Sequence, residues 1–269
     1  MLEMLVPLVL CGAALWYAIG VSHAWARAGH GRIIRTWQAF AFGAALVVLL
    51  VALATPLEQA ADRDLPMHMV QHMLLLLVVP PLLALGAPIV AAVEALPSSA
   101  RRRAQPLLRG VTRSQARRSW LLWTALALAL ATLTLAVWHL PALYDAAVRN
   151  DGVHALEHIS FVATGTLFWW MVLRSGSLDR RGFGVLAVFV ASLPASALGV
   201  LMTMASSPWY APYGTGHPAL VHQQIAGAIM WGFGGVALAI IAALLFASWL
   251  SAMERREERP TEAAVPDLW

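Results

Sequence analysis

Seven apolar runs, at about residues 3–22, 36–54, 67–93, 119–139, 153–173, 183–204 and 219–249, constrain this chain more than any other feature of its sequence. A helix rises about 1.5 Å per residue, so roughly twenty residues cross a hydrocarbon layer of about 30 Å. Within that layer no water reaches the backbone, and only a helix satisfies every N–H and C=O inside one segment. The expected fold is all-α: a polytopic bundle of seven transmembrane helices forming a single domain over residues 1–250. A charged cytoplasmic tail, partly disordered, is expected over 251–269, where Glu254-Arg255-Arg256-Glu257-Glu258-Arg259 stands. Only 12% of the residues are charged, against about a quarter in soluble domains, and 60% are hydrophobic, which excludes a soluble globular fold. Glu3 stands where a signal peptide would be basic, and Leu10 precedes the one cysteine, Cys11, where a lipoprotein would carry a small residue. The first run is therefore expected to remain as a membrane helix. A single cysteine excludes an intrachain disulfide and a Cys-based metal site.

Arginine sets the expected orientation. All eighteen basic residues are arginine. With seven spans, sixteen fall on one side: Arg27, Arg32, Arg35, Arg101, Arg102, Arg103, Arg109, Arg113, Arg117, Arg118, Arg174, Arg180, Arg181, Arg255, Arg256 and Arg259. Only Arg63 and Arg149 fall on the other. Basic loops stay cytoplasmic, which puts the N-terminus outside and the C-terminus inside. The net charge of +4 is then directed at membrane lipid rather than nucleic acid. The outer level carries Glu3, Glu58, Asp62, Asp64, Asp145, Asp151 and Glu157, an acidic face that concentrates cations.

Histidine follows the opposite distribution. His68 and His72 begin the third run, His139 ends the fourth, His154 and His158 begin the fifth, and His217 and His222 flank the start of the seventh. Only His23 and His30 lie on the arginine-rich side. His68/His72 and His154/His158 each have the four-residue spacing that places two imidazoles on one helical face. Polar groups at a hydrocarbon boundary are costly unless something uses them. The candidate metal ligands are therefore His68, His72, His139, His154, His158 and His222. Met69, Met73 and Met230 offer thioether sulfur, and Glu157 a carboxylate that ligates, orients His158 or points elsewhere. Mixed imidazole and thioether ligation favours copper, particularly the reduced ion. Zinc and haem iron are the alternatives. A buried methionine ordinarily fills core space, and an isolated histidine pair at an interface can simply hydrogen-bond to its neighbours. His217, beside Pro218, reads as a surface residue.

Pro80-Pro81 interrupts the third run below its histidines and predicts a kink. Trp138, Trp169, Trp170, Trp209, Tyr210 and Tyr213 read mostly as interfacial anchors, and Ser206–Pro218 as a loop across the outer surface.

Four stretches together resemble the multi-spanning bacterial cytochrome c oxidase assembly factor family CtaG, of caa3 type. They are His68-Met69-Val70-Gln71-His72-Met73 running into Pro80-Pro81-Leu82-Leu83-Ala84-Leu85-Gly86, and Trp138-His139-Leu140-Pro141-Ala142-Leu143-Tyr144-Asp145. The third is His154-Ala155-Leu156-Glu157-His158 with Phe168-Trp169-Trp170, and the fourth Gln223-Gln224-Ile225-Ala226-Gly227 with Met230-Trp231. The resemblance covers about residues 35–250. It implies a non-enzymatic factor of the bacterial cytoplasmic membrane that matures a haem–copper oxidase by holding or delivering copper on the periplasmic side. Its implied partners are oxidase subunits and a periplasmic copper donor. The family position before Gln223-Gln224 is usually acidic, and here it is His222. Two other readings fit three or more imidazoles near one boundary: a seven-helix zinc-dependent membrane hydrolase, and a haem-binding membrane electron carrier.

Overall fold

In a computed structural model that describes residues 2–113, 117–173 and 178–257, the protein is helical throughout, with no strand among the described residues. Seven helices are long and apolar enough to cross a membrane. They are α1 (Leu2–Ala28), α2 (Thr36–Leu53), the composite third span, α8 (Arg117–Trp138), α10 (Asp151–Leu173), α11 (Leu178–Thr203) and the composite seventh span. Short helices join them: α3 (Pro56–Ala61), α6 (Pro88–Ala95), α7 (Ser98–Arg113) and α9 (Pro141–Arg149). Large apolar side chains such as Leu8, Phe40, Leu126, Leu186 and Ile240 are exposed around the bundle. Such a belt is stable facing lipid and costly facing water.

The third and seventh spans are each built from two α-helices separated by a π-helical turn. α4 (Leu65–Met73) passes through Leu74–Val78 into α5 (Val79–Leu85), and α12 (Gly216–Ala228) passes through Ile229–Phe233 into α13 (Gly234–Glu257). The disturbance expected from Pro80-Pro81 takes this form, with the wide turn placed before the two residues that donate no amide. The seventh span has its wide turn without proline, beside Gly232, Gly234 and Gly235. The two spans meet at this depth: a Cβ on Gly234 would stand 3.3 Å from Met73 Sδ.

Two boundaries differ from the sequence-based expectation. The third span ends at Leu85 rather than near 93, because Ala87 takes a left-handed conformation (φ 49°) ahead of Pro88 and turns the chain. α6 then runs alongside α1 in the same direction, toward the arginine-rich end, and Gly20 lies so close to Ala91 that a side chain there would strike the Ala91 carbonyl. The carbonyls released at the break are satisfied by side chains: Tyr17 donates to Gly86 O at 2.8 Å and Gln38 Nε2 to Leu85 O at 3.2 Å. At the other boundary, α13 continues to Glu257, so the first residues of the expected tail are helical. Residues 258–269 of that tail lie outside the described residues.

The arginine-rich end is tied together by Glu94, buried on α6. Arg27 of α1 makes a two-pronged contact with it at 2.7 and 2.8 Å, and Arg101 of α7 approaches to 4.0 Å. At the histidine-bearing end, α4 packs on α3 and α12, while α10 packs on α5, α8 and α9. α11 and α12 touch most closely where Gly199 and Gly227 face each other. A Cβ on Gly227 would come to 2.5 Å from Gly199 O and 2.7 Å from Thr203 N. Gly227→Val is therefore expected to destabilise the protein by roughly 1–3 kcal/mol through overpacking. Thermal unfolding in detergent would register this as a lower melting temperature than that of wild type.

Candidate metal centre

Two single helical turns generate the site. In α4, the four-residue spacing turns His68 and His72 to one side; in α10, it does the same for His154 and His158, with Glu157 between them. The four imidazoles pack as one group. Ring centroids are 4.3 Å apart for His68 and His72, 4.1 Å for His154 and His158, 5.1 Å for His68 and His154, and 5.5 Å for His72 and His158. One ligating atom from each of His68, His72, His154, Glu157 and His158 lies within 4.8 Å of all the others, and all five side chains are buried.

Hydrogen bonding fixes how these rings present themselves. Tyr213, from the short 3-10 turn Ala211–Tyr213, donates its hydroxyl to Ala61 O at 3.0 Å and lies 2.7 Å from His68 Nδ1. The phenolic proton goes to the carbonyl, which can only accept, so Nδ1–H of His68 donates to the Tyr213 oxygen. That tautomer leaves the His68 Nε2 lone pair facing inward. His68 Nε2 and His72 Nε2 are 2.8 Å apart, the separation of an N–H···N hydrogen bond. Two nitrogens bound to one tetrahedral ion at about 2.0–2.1 Å would stand roughly 3.3 Å apart. An ion would replace the shared proton and spread the pair by about half an ångström.

The remaining ligating atoms lack partners. His72 Nδ1, His154 Nε2, His158 Nε2 and both carboxylate oxygens of Glu157 are buried without a hydrogen bond, and Glu157 Oε1 stands 3.6 Å from His72 Nε2. A buried carboxylate with no donor is costly unless a positive charge meets it. Several lone pairs and one carboxylate converging in a buried space fit a d-block cation, and the donor set of imidazoles and one carboxylate matches what zinc and copper accept.

The other candidate residues are placed differently. His139 is buried beside the cluster, 6.0 Å from His72 by ring centroids, and outside the group of five. Its Nδ1 is 2.8 Å from Leu135 O, so Nδ1–H donates there and Nε2 carries the lone pair, without a partner. Burial pushes its pKa down to about 4, opposed by the bond to the Leu135 carbonyl, which keeps the ring neutral. His139 also lines a groove of about 490 Å³ with Leu135, Pro194, Leu198 and Trp209. His222 is not brought to the cluster. It is half exposed and pairs with Asp64 Oδ1 at 2.9 Å, joining α12 to the residue that precedes α4. Met69, Met73 and Met230 belong to the apolar core around the site, with Leu65, Phe161 and Tyr210. Met73 and Met230 line a small apolar cavity of about 90 Å³ together with Leu135, Phe168 and Trp169. His217 is exposed; His23 approaches Glu94 O and His30 packs on Trp25, away from the site.

Several contributors escape the sequence reading. Tyr210 and Tyr213 are not interfacial anchors but lids: Tyr210 is 1% exposed, donates to His139 O at 3.2 Å and stacks on Tyr144 at 4.0 Å. Trp169 is likewise core rather than anchor, at 2% exposure. Tyr144 packs against His68, 5.2 Å between centroids. Burial pushes the phenols of Tyr144, Tyr210 and Tyr213 well up, so they stay protonated. Tyr144 sits two residues beyond Pro141-Ala142 in a stretch already conspicuous for His139. Tyr213 is signalled only by its place in an aromatic loop.

The sequence profile of the family described as cytochrome c oxidase caa3 assembly factor (Caa3_CtaG) matches residues 15–252. Curated relatives include the uncharacterized protein ML1998 of Mycobacterium leprae (strain TN), 26% identical over 230 residues. Another is the uncharacterized protein Mb0105 of Mycobacterium bovis (strain ATCC BAA-935 / AF2122/97), 27% identical over 232 residues. Each match covers 74% of this chain and 32% of the relative, so the chain spans about a third of the length of the curated relatives it matches. No solved structure matches the chain significantly.

Because Tyr213 orients His68 without reaching the cluster itself, Tyr213→Phe is expected to weaken metal affinity by about 10–100-fold, the usual effect of losing such a partner. Competition with a chromophoric chelator measures this; unchanged affinity would show that Tyr213 does not set the His68 tautomer.

Proposed function

The chain belongs to the cytochrome c oxidase caa3 assembly factor family, and from that premise we propose that it holds copper at the buried cluster and passes it to the oxidase during assembly. One observation carries the reading: four imidazoles and a carboxylate converge within 4.8 Å, buried, with five of their polar atoms lacking any partner. Copper suits the surroundings because thioethers pack in the same core, and soft sulfur favours the reduced ion. His68, His72, His154 and His158 are the central ligands. Glu157 supplies charge, His139 a neutral imidazole beside them, and Met69, Met73 and Met230 a soft environment for transfer. His222 is withdrawn from this set by its pairing with Asp64.

Copper here is cargo, so the protein's own work is to bind, shield and release it. Burial excludes water from the ion, while neutral ligands keep the complex exchangeable. The arginine asymmetry supports a cytoplasmic C-terminus and a site open to the outer side of a bacterial cytoplasmic membrane. The partners of this reading are oxidase subunits and a copper donor on that outer side. The family supports a non-catalytic role, and a zinc-dependent hydrolase would need lipid turnover at the same ligands. A porphyrin is far larger than the space defined by side chains this close together, which disfavours the haem reading.

Purified wild-type protein is expected to bind about one copper ion at the cluster, and His72→Ala/His158→Ala to lose it, read by elemental analysis. Cells carrying the double variant are expected to assemble oxidase deficient in copper. Wild-type protein unable to take up copper would overturn the proposal, and bound zinc with lipid hydrolysis abolished by His72→Ala would replace it. A fluorescent protein fused at the C-terminus is expected to fluoresce, as a cytoplasmic fusion does; a dark fusion together with an active periplasmic reporter at the same point would reverse the orientation.

A further inference from the structure

His154 belongs to two groups at once. Besides the buried cluster, one ligating atom from each of Glu58, Asp62 and His154 also lies within 4.8 Å of the others. Glu58 and Asp62 are four residues apart on and just after α3, which turns both carboxylates to one side. Exposure falls stepwise through the group: Asp62 is exposed, Glu58 half-buried, and His154 8% exposed. His154 Nδ1 stands 3.9 Å from Glu58 Oε1, while its Nε2 is buried without a partner. Gln71 holds the arrangement from behind. Its Nε2 donates to Ala52 O at 2.8 Å and to Glu58 Oε2, so both amide protons are used. The Gln71 Oε1, also buried, is left without a donor. Two carboxylates and one imidazole are gathered where solvent meets the buried ligands.

Resting on the copper-holding reading above, we propose that Glu58, Asp62 and His154 form a second, shallower cation site at which a divalent transition-metal ion lands before it reaches the buried imidazoles. Oxygen donors hold such an ion less selectively and exchange it faster than a closed imidazole set, as a landing site requires. Passage is ligand exchange alone. Carboxylate oxygens leave the ion as His68, His72 and His158 nitrogens join it, and His154, common to both groups, stands at the point of exchange. Gln71, between the two histidines of α4, keeps Glu58 within reach of His154 and acts as a positioning residue.

The test uses full-length protein in detergent with Cu²⁺ as probe, followed by electron paramagnetic resonance and by stopped-flow loading. Wild type is expected to show a mixed oxygen and nitrogen environment first and a nitrogen-rich one once the ion has passed inward. Asp62→Asn, at an exposed position that leaves the fold intact, and Glu58→Gln/Asp62→Asn are expected to lose the oxygen-rich signal. They should still fill the buried site at equilibrium, but on the order of 10–100-fold more slowly. His72→Ala should do the reverse, keeping the oxygen-rich signal. Loading of the carboxylate variants at the wild-type rate, with both signals present, would overturn the landing site and leave the buried site standing. Loss of the nitrogen-rich signal from wild type itself would overturn the underlying copper reading instead. Circular dichroism and gel filtration establish that each variant is folded.

Discussion

The structure depends on what it costs to keep polar atoms inside an apolar bundle. Isolated in hydrocarbon, each imidazole, carboxylate or amide without a partner carries a penalty of kilocalories. Most of the polar groups described here have been given partners in response: Tyr17 and Gln38 cover the carbonyls at the break after α5, and Arg27 answers Glu94. Against that background the five side chains around Glu157 stand apart. Their unsatisfied atoms are gathered in one place rather than scattered, and they face one another. Packing alone gives no reason to collect them.

The scaffold contributes rigidity by bringing backbone against backbone. Gly199 and Gly227 let α11 and α12 approach closely, and Gly165 receives Pro80 so that α10 lies along α5. This fixes α10 against the composite third span and hence one histidine pair against the other. The lid is a separate device. Tyr213 and Tyr210 descend from the loop before α12 onto His68 and the carbonyl of His139, closing the cluster with groups that carry both an apolar ring and a donor.

Much of this was legible in the sequence, for identifiable reasons. The seven spans follow from run length, and the pairing of His68 with His72 and of His154 with His158 from helical periodicity. Periodicity says which residues share a face but not which faces meet, so it cannot separate His139 and His222 from the others, although one stands beside the cluster and the other pairs with Asp64. Hydropathy carries the third span through Ala87, whereas the chain turns there on its backbone conformation. Composition assigns most of the aromatic residues to the membrane surface. Only long-range contacts, such as Tyr213 with His68 across 145 residues, reveal them as lids.

The wide turns at Leu74–Val78 and Ile229–Phe233 have a further meaning. Each residue of an α-helix advances about 100° around the axis, so one extra residue absorbed in a wide turn rotates everything beyond it by about that angle. In the third span, the half that carries the histidines and the half that packs on α2 and α10 are thereby phased independently. A sequence change in that lower half can retune its packing on α2 and α10 without swinging the histidines out of alignment, and a one-residue deletion in the Leu74–Val78 turn would couple the two halves again.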